Sequence, residues 1–310
     1  MALPVSRPAF LQDDNIPRGI FLMLITTLFF VLIDTCAKQL SQSLPVMEVV
    51  WARFMFHVLV VLVLLRGTVF RYARTNRPWL QLFRSAMLVA TTYLFFTGIQ
   101  QIDLAMASSI MFLSPILITV LSVPLLGERI GVRRVMGVLA GLTGALIIVR
   151  PGLGEVPAAA FYLIAAACTN SLYQLTTRML RQHDDAYTTL LYTGLVGMVA
   201  SSMAVPLEWV PPTPTAWGLM AGMGTFGALG HFTLIRAFQS APPSALMPFA
   251  YSGLVWATLF GYVVFSNLPD GYTIVGAAVI TASGIYIFHR EQKAAKTAAA
   301  VQVAQAPQSD

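Results

Sequence analysis

Ten runs of about twenty mainly apolar residues, separated by short charged or Pro/Gly-rich breaks, dominate this chain. A helix needs about 20 such residues to cross a hydrocarbon core about 30 Å thick, where no water serves the backbone and its polar groups must be satisfied within the segment. The runs cover residues 19–40, 45–65, 78–100, 104–126, 131–149, 157–180, 186–206, 214–239, 243–266 and 271–289. Of 310 residues, 57% are hydrophobic and 10% charged, against about 25% charged in an ordinary soluble domain. The expected fold class is therefore all-α integral membrane, with ten transmembrane helices.

Little sequence remains outside the runs. Residues 1–18 read as a short cytoplasmic segment without the cationic-then-apolar order of a cleaved signal peptide, and residues 291–310 as a polar, Ala-rich, disordered cytoplasmic tail. Cys36 and Cys168 lie within runs and read as small apolar residues. Lys and Arg alternate from break to break. One face would carry Arg7, Arg18, Arg66, Arg71, Arg74, Arg77, Arg129, Arg133, Arg134, Arg178, Arg181, Arg290, Lys293 and Lys296, and the other only Lys38 and Arg150. Cytoplasmic links retain positive charge, so an even number of crossings puts both termini in the cytoplasm. The net charge of +6 then reflects topology, and its spread over separate links argues against nucleic acid as a partner.

Five crossings per half would oblige the halves to be inverted relative to one another. A shift of 140 lays FFVLIDTCAKQL (29–40) on TNSLYQLTTRML (169–180), so that Asp34 meets Gln174 and Lys38 meets Arg178; a shift of 139 brings Gln100 onto Gln239 and Gly137 onto Gly276. Lys38 and Arg178 would then cap equivalent helices on opposite faces.

The stretch AMASSIMFLSPILITVLSVPLLGERIGVRRVMGVLAGLTGALIIVRPG (105–152) resembles the last two helices of the first repeat of the EamA family, in the drug/metabolite transporter superfamily. Residues 242–291 resemble the second copy, with Ser266 and Asn267 where Gly-Glu is common in the family. The resemblance implies two inverted five-helix repeats, residues 19–152 and 153–290, around a central cavity that carries a metabolite. Apart from the resemblance, Gly137, Gly141 and Gly144 allow close helix approach, and Pro115 and Pro248 mark either kinks or breaks beside a cavity.

An ionised side chain in hydrocarbon costs at least about 2.5 kcal/mol, so the few such residues here should face protein or water. Asp34 and Lys38, four apart, share a helix face; either they pair, or Asp34 faces a cavity and binds a substrate cation or a proton. Glu48 and Arg53 diverge around the second helix and read as structural charges with separate partners, as do Glu128 beside its arginines and Arg236. His57 reads as a packing residue. His231, among glycines and apolar residues, is either a single hydrogen bond to a neighbouring helix or a proton relay. Asn170, Tyr173, Gln174 and Thr177 form a polar stripe at helical spacing, and Tyr93, Tyr251, Ser252 and Trp256 are further candidates for the cavity wall.

Absent motifs narrow the chemistry. The sequence has no GxxxxGK[ST], no HExxH and no GxSxG, so it reads as neither an ATPase, a zinc protease nor a serine hydrolase, and nothing in it calls for a cofactor or a metal. The expectation is a secondary transporter in the inner membrane, whose partners are the bilayer and a small molecule. It would export a small polar or zwitterionic metabolite, amino-acid-like or opine-like, by alternating access. Uptake of a vitamin or nucleotide-derived metabolite, of the riboflavin or S-adenosylmethionine type, is the alternative, and a passive channel ranks third. Proton coupling and homodimerisation stay open.

Overall fold

A computed structural model describes residues 15–111, 113–126, 158–180, 183–241, 246, 249–250 and 252–279, with 136, 139–140, 143–144, 146–147, 281–283, 285–286 and 289. The described residues contain helices and no strand. In chain order the helices are α1 Ile16–Leu40, α2 Val46–Leu65, α3 Pro78–Ile99, α4 Leu104–Met111, α5 Leu113–Leu126, α6 Ala158–Leu180, α7 Ala186–Ala204, α8 Pro214–Ser240, α9 Ser252–Phe265 and α10, residues 271–279. Five apolar helices are long enough to cross a membrane: α1, α2, α3, α7 extended to Leu207, and α8. The expected fourth run is described as α4 and α5, and most of the fifth lies outside the described residues.

Local chemistry sets the ends. Asn15 accepts the Arg18 N–H (3.1 Å) ahead of Pro17 in the first turn of α1, Asp185 accepts that of Tyr187 (2.8 Å), and Thr213 accepts that of Ala216 (3.2 Å) before Pro214. A side-chain oxygen thereby satisfies an orphan donor, and proline loses nothing where no intrahelical bond is due. Helix α2 stops where Arg66 (φ 43°) and Gly67 (φ 84°) are both left-handed, which turns the chain back toward α3.

Helix α1 packs along α8 and α3 along α6; α2 lies against α7 and α8, and α7 against α2 and α3. Helix α9 covers α1 and α4, while α4 and α5 cover α6. Exchanging α1 with α6, α2 with α7 and α3 with α8 maps this packing onto itself. Close approach rests on small residues of α7 and α8: a Cβ on Gly224 would stand 2.2 Å from the Phe56 Cβ and 2.8 Å from the His57 backbone nitrogen, and one on Gly197 2.3 Å from the Phe54 ring. Of the glycines expected to serve this purpose, Gly137 and Gly141 lie outside the described residues and Gly144 is buried.

The links gather at two ends. At one, Asp184 accepts hydrogen bonds from Thr75, the Asn76 N–H (2.9 Å) and Gln81 (2.8 Å), and Arg178 donates to the Phe238 carbonyl (2.9 Å). At the other, Lys38 Nζ donates to the carbonyls of Ile99 (3.0 Å) and Ile102 (2.6 Å), Glu48 accepts the Val210 N–H (3.0 Å), and Asn267 donates to Asp103 (2.6 Å). Of the two readings of Asp34, the pair with Lys38 is not formed. At a helix end the carbonyls of the α3–α4 link are nearer partners, and the Lys38 ammonium sits 5.7 Å from the centre of the Phe265 ring. Lys38–Ile99 and Arg178–Phe238 are the same cation-to-carbonyl bond under shifts of 140 and 139 residues.

Candidate functional site

Between α1, α3, α6 and α8 the helices leave a cavity of about 1060 Å³, open solvent included, closed further by Ser108, Met111, Ser114, Ala250 and Gly253. Most of its wall is apolar, from Met23 and Phe30 on α1 to Leu88, Phe95 and Phe96 on α3. Set into that wall are Asp34, Arg53, Asn170, Tyr173, Gln174 and His231.

The Asp34 carboxylate has no hydrogen bond or ion pair among the described residues, although it interacts electrostatically with Arg53. Asp34 and Gln174, equivalent under the 140-residue shift, both face the cavity, one as an acid and the other as a neutral amide. Asn170 donates to the Ser114 hydroxyl (3.2 Å), which in turn donates to the Ala167 carbonyl (3.1 Å). Two hydroxyl bridges cross the wall, Thr26 to Thr233 and Thr91 to Thr169, each at 2.8 Å.

A chain of hydrogen bonds runs from the cavity into the protein. Arg53 Nη1 donates to Thr92, and Arg53 Nη2 lies 2.9 Å from His231 Nε2. A guanidinium can only donate, so Nε2 accepts and the neutral ring carries its proton on Nδ1. That N–H faces the Tyr173 oxygen at 2.9 Å, and Tyr173 also accepts from Arg84 Nη2 at 2.9 Å. Arg84 is 0% exposed and donates to Thr177 (2.7 Å), Thr193 (2.7 Å) and the Thr189 carbonyl (3.4 Å), with its guanidinium carbon 4.5 Å from the centre of the Tyr173 ring. Its partners are all neutral. Thr177 lies in the last turn of α6, where the helix dipole presents its negative end to a cation.

The other candidates lie elsewhere. Tyr93 is 41% exposed, on the face of α3 turned away from the cavity. Ser252 stands behind the wall, bonded to Thr27 (2.8 Å) and the Phe249 carbonyl (2.7 Å). Trp256 packs on the cluster of Val31, Leu104 and Ala257, and Tyr251, Pro248 and Glu128 lie outside the described residues. Arg53, expected as a purely structural charge, is on the cavity wall. Arg236 donates to Gln239 (3.4 Å) and lies over Phe232, and His57 sits 3.3 Å from the Leu190 carbonyl, to which its Nε2 donates. Sequence reading missed Arg84 and Thr92. A lone arginine six residues into an apolar run was the available signal for the first; nothing marked the second.

Comparisons with known proteins bear on the family and the fold. The model of the EamA-like transporter family matches twice, at residues 17–150 and 157–288. The S-adenosylmethionine uptake transporter of Rickettsia bellii is 26% identical over 84% of this chain and 90% of its own. The pseudopaline exporter CntI of Pseudomonas aeruginosa is 29% identical over 88% and 96%, and the riboflavin transporter of Vibrio cholerae 27% identical over 89% and 94%. A crystal structure 18% identical aligns with a TM-score of 0.70 over 89% of this chain and 98% of that one, a likeness of fold. With two copies of the family pattern spanning nearly all of its apolar runs, this multi-pass membrane protein belongs to the EamA-like transporter family.

Proposed function

We propose that the protein is a secondary carrier of the bacterial inner membrane that exports a small polar or zwitterionic metabolite by alternating access, its two inverted five-helix halves (19–152 and 153–290) rocking about the central cavity. One observation carries the substrate class: the Asp34 carboxylate faces the cavity and makes no hydrogen bond or ion pair among the described residues, its electrostatic neighbour being Arg53. An acid that costs this much to hold in a membrane interior is retained for a cation that comes and goes. An ammonium or sulfonium group fits it, and the amides of Asn170 and Gln174 suit the rest of a polar solute.

The parity of the links supports ten crossings. Residues 75–81 meet Asp184 at one end, which calls for an even number of passages between them; four are expected. Glu48 with Val210, and Asp103 with Asn267, each call for an even number too, and six are expected for both pairs. Arg18, Arg66, Arg71, Arg74 and Arg77 gather at the Asp184 end, supporting a cytoplasmic assignment for that face and for both termini.

Uptake is the second reading, favoured by relatives named for S-adenosylmethionine uptake and riboflavin transport. Metabolite profiles inside and outside cells, with and without the gene, separate the two: export raises a solute outside, uptake inside. Saturable counterflow in proteoliposomes supports a carrier, whereas flux that neither saturates nor exchanges would replace it with a channel.

A further inference from the structure

Arg53 is the one cavity-wall cation among the described residues, and its hydrogen bonding is incomplete. A guanidinium has five N–H donors. The described residues take two of these, Thr92 at Nη1 and His231 at Nη2. The head also lies over the Phe54 and Phe96 rings, 5.3 and 5.7 Å from their centres, which adds to the two hydrogen bonds in holding it in place. Its two partners come from opposite halves yet from equivalent positions, since Thr92 and His231 are 139 residues apart. The guanidinium is thus suspended between the repeats.

The chain behind it sets its aim. His231 can accept from Arg53 only while Nδ1 keeps the proton, and Nδ1 keeps it because the Tyr173 oxygen accepts there at 2.9 Å. The Tyr173 oxygen is held in turn by fully buried Arg84. A histidine donating at one nitrogen and accepting from a cation at the other has no site left for a second proton. The geometry therefore argues against the proton relay that the sequence suggested for His231.

We infer that Arg53 is the receptor for an anionic group of the transported solute, a carboxylate above all, and that Thr92, His231, Tyr173 and Arg84 are its positioning residues. A bidentate acid matches the free edge of a fixed guanidinium fork, and two charge-assisted bonds add both affinity and orientation. With Asp34 on the same cavity taking the cationic group, the solute lies with its two charges toward α1 and α2. The inference rests on the carrier reading and narrows it: a solute with no anion is a poor fit.

The test uses the full chain in proteoliposomes incubated with a total small-molecule extract of bacterial cells, with the lumen read by mass spectrometry against protein-free liposomes. Wild type is expected to accumulate solutes that carry a carboxylate or another anion. Arg53→Gln should lower their apparent affinity by at least about tenfold, the value of one lost charge-assisted pair. His231→Gln, whose amide oxygen can still accept from Arg53, should keep more of that affinity than His231→Phe, with the change in KM exceeding the change in turnover. Accumulation of anion-free solutes alone would overturn the inference and leave the carrier standing; no accumulation of any solute would overturn both. The wild-type profile decides the matter even where Arg53→Gln fails to assemble.

Discussion

Tyr173→Phe removes one oxygen and leaves the ring in place. That oxygen accepts from the Arg84 guanidinium and from His231, both at 2.9 Å, in a side chain only 1% exposed. The stacked ring under Arg84 survives, so packing loss is small and the cost is polar. A hydrogen bond to a charged group contributes about 1.5–3 kcal/mol, and a neutral donor left buried without a partner costs about 1–3 kcal/mol. Arg84 keeps Thr177, Thr193 and the Thr189 carbonyl, and the two lost bonds share one acceptor, so the sum is discounted to about 2–4 kcal/mol. Reversible unfolding of the purified protein in mixed micelles measures this, with Tyr93→Phe, on the outer face of the neighbouring helix, as the reference at about 0.5 kcal/mol or less. A Tyr173→Phe protein within about 0.5 kcal/mol of wild type would refute the chain of bonds from Arg84 to Arg53.

Asp34→Asn breaks no hydrogen bond among the described residues, although it removes the carboxylate that Arg53 feels, and should lose transport of cationic and zwitterionic solutes in the counterflow assay; unchanged transport in an assembled protein removes Asp34 from the site. Gly224→Val should destabilise by more than about 3 kcal/mol, since its first added atom would meet Phe56 at 2.2 Å and a backbone nitrogen at 2.8 Å; thermal stability in detergent checks it. Asp184→Ala should loosen the 75–81 segment, read as faster proteolysis of the 66–77 link, because Thr75, Asn76 and Gln81 all lose their acceptor. Lys38→Met and Arg178→Met should have similar effects on assembly, as equivalent bonds in the two halves; a large effect from one alone would contradict the repeat assignment.

Fold class followed from run length and charge, because a bilayer leaves the backbone few choices. Asp34, Asn170, Tyr173, Gln174 and His231 were nameable in advance, since a polar side chain in an apolar run has few affordable places to go. Rotation about each helix axis was not legible. Thr92 faces the cavity and Tyr93 does not, a difference of about 100° for one residue that periodicity in a uniformly apolar run cannot settle. Pairing was equally hidden: the spacing of Asp34 and Lys38 permits an ion pair, but Lys38 stands at a helix end where free carbonyls compete. Arg84 escaped notice because its partners, Thr177, Thr189 and Thr193, are ordinary hydroxyl residues brought together only by the packing of α3, α6 and α7.

The cavity between the halves is reached most directly by thiol labelling. In a background of Cys36→Ala and Cys168→Ala, Gln174→Cys places a thiol on the cavity wall, and Val255→Cys places one at a position 65% exposed on the outer face of α9. A membrane-impermeant thiol reagent, applied to intact spheroplasts and to inverted vesicles, should label Gln174→Cys from both faces and Val255→Cys from neither. Equal labelling of the two, or none at Gln174→Cys, would contradict a central cavity presented in turn to each side of the membrane.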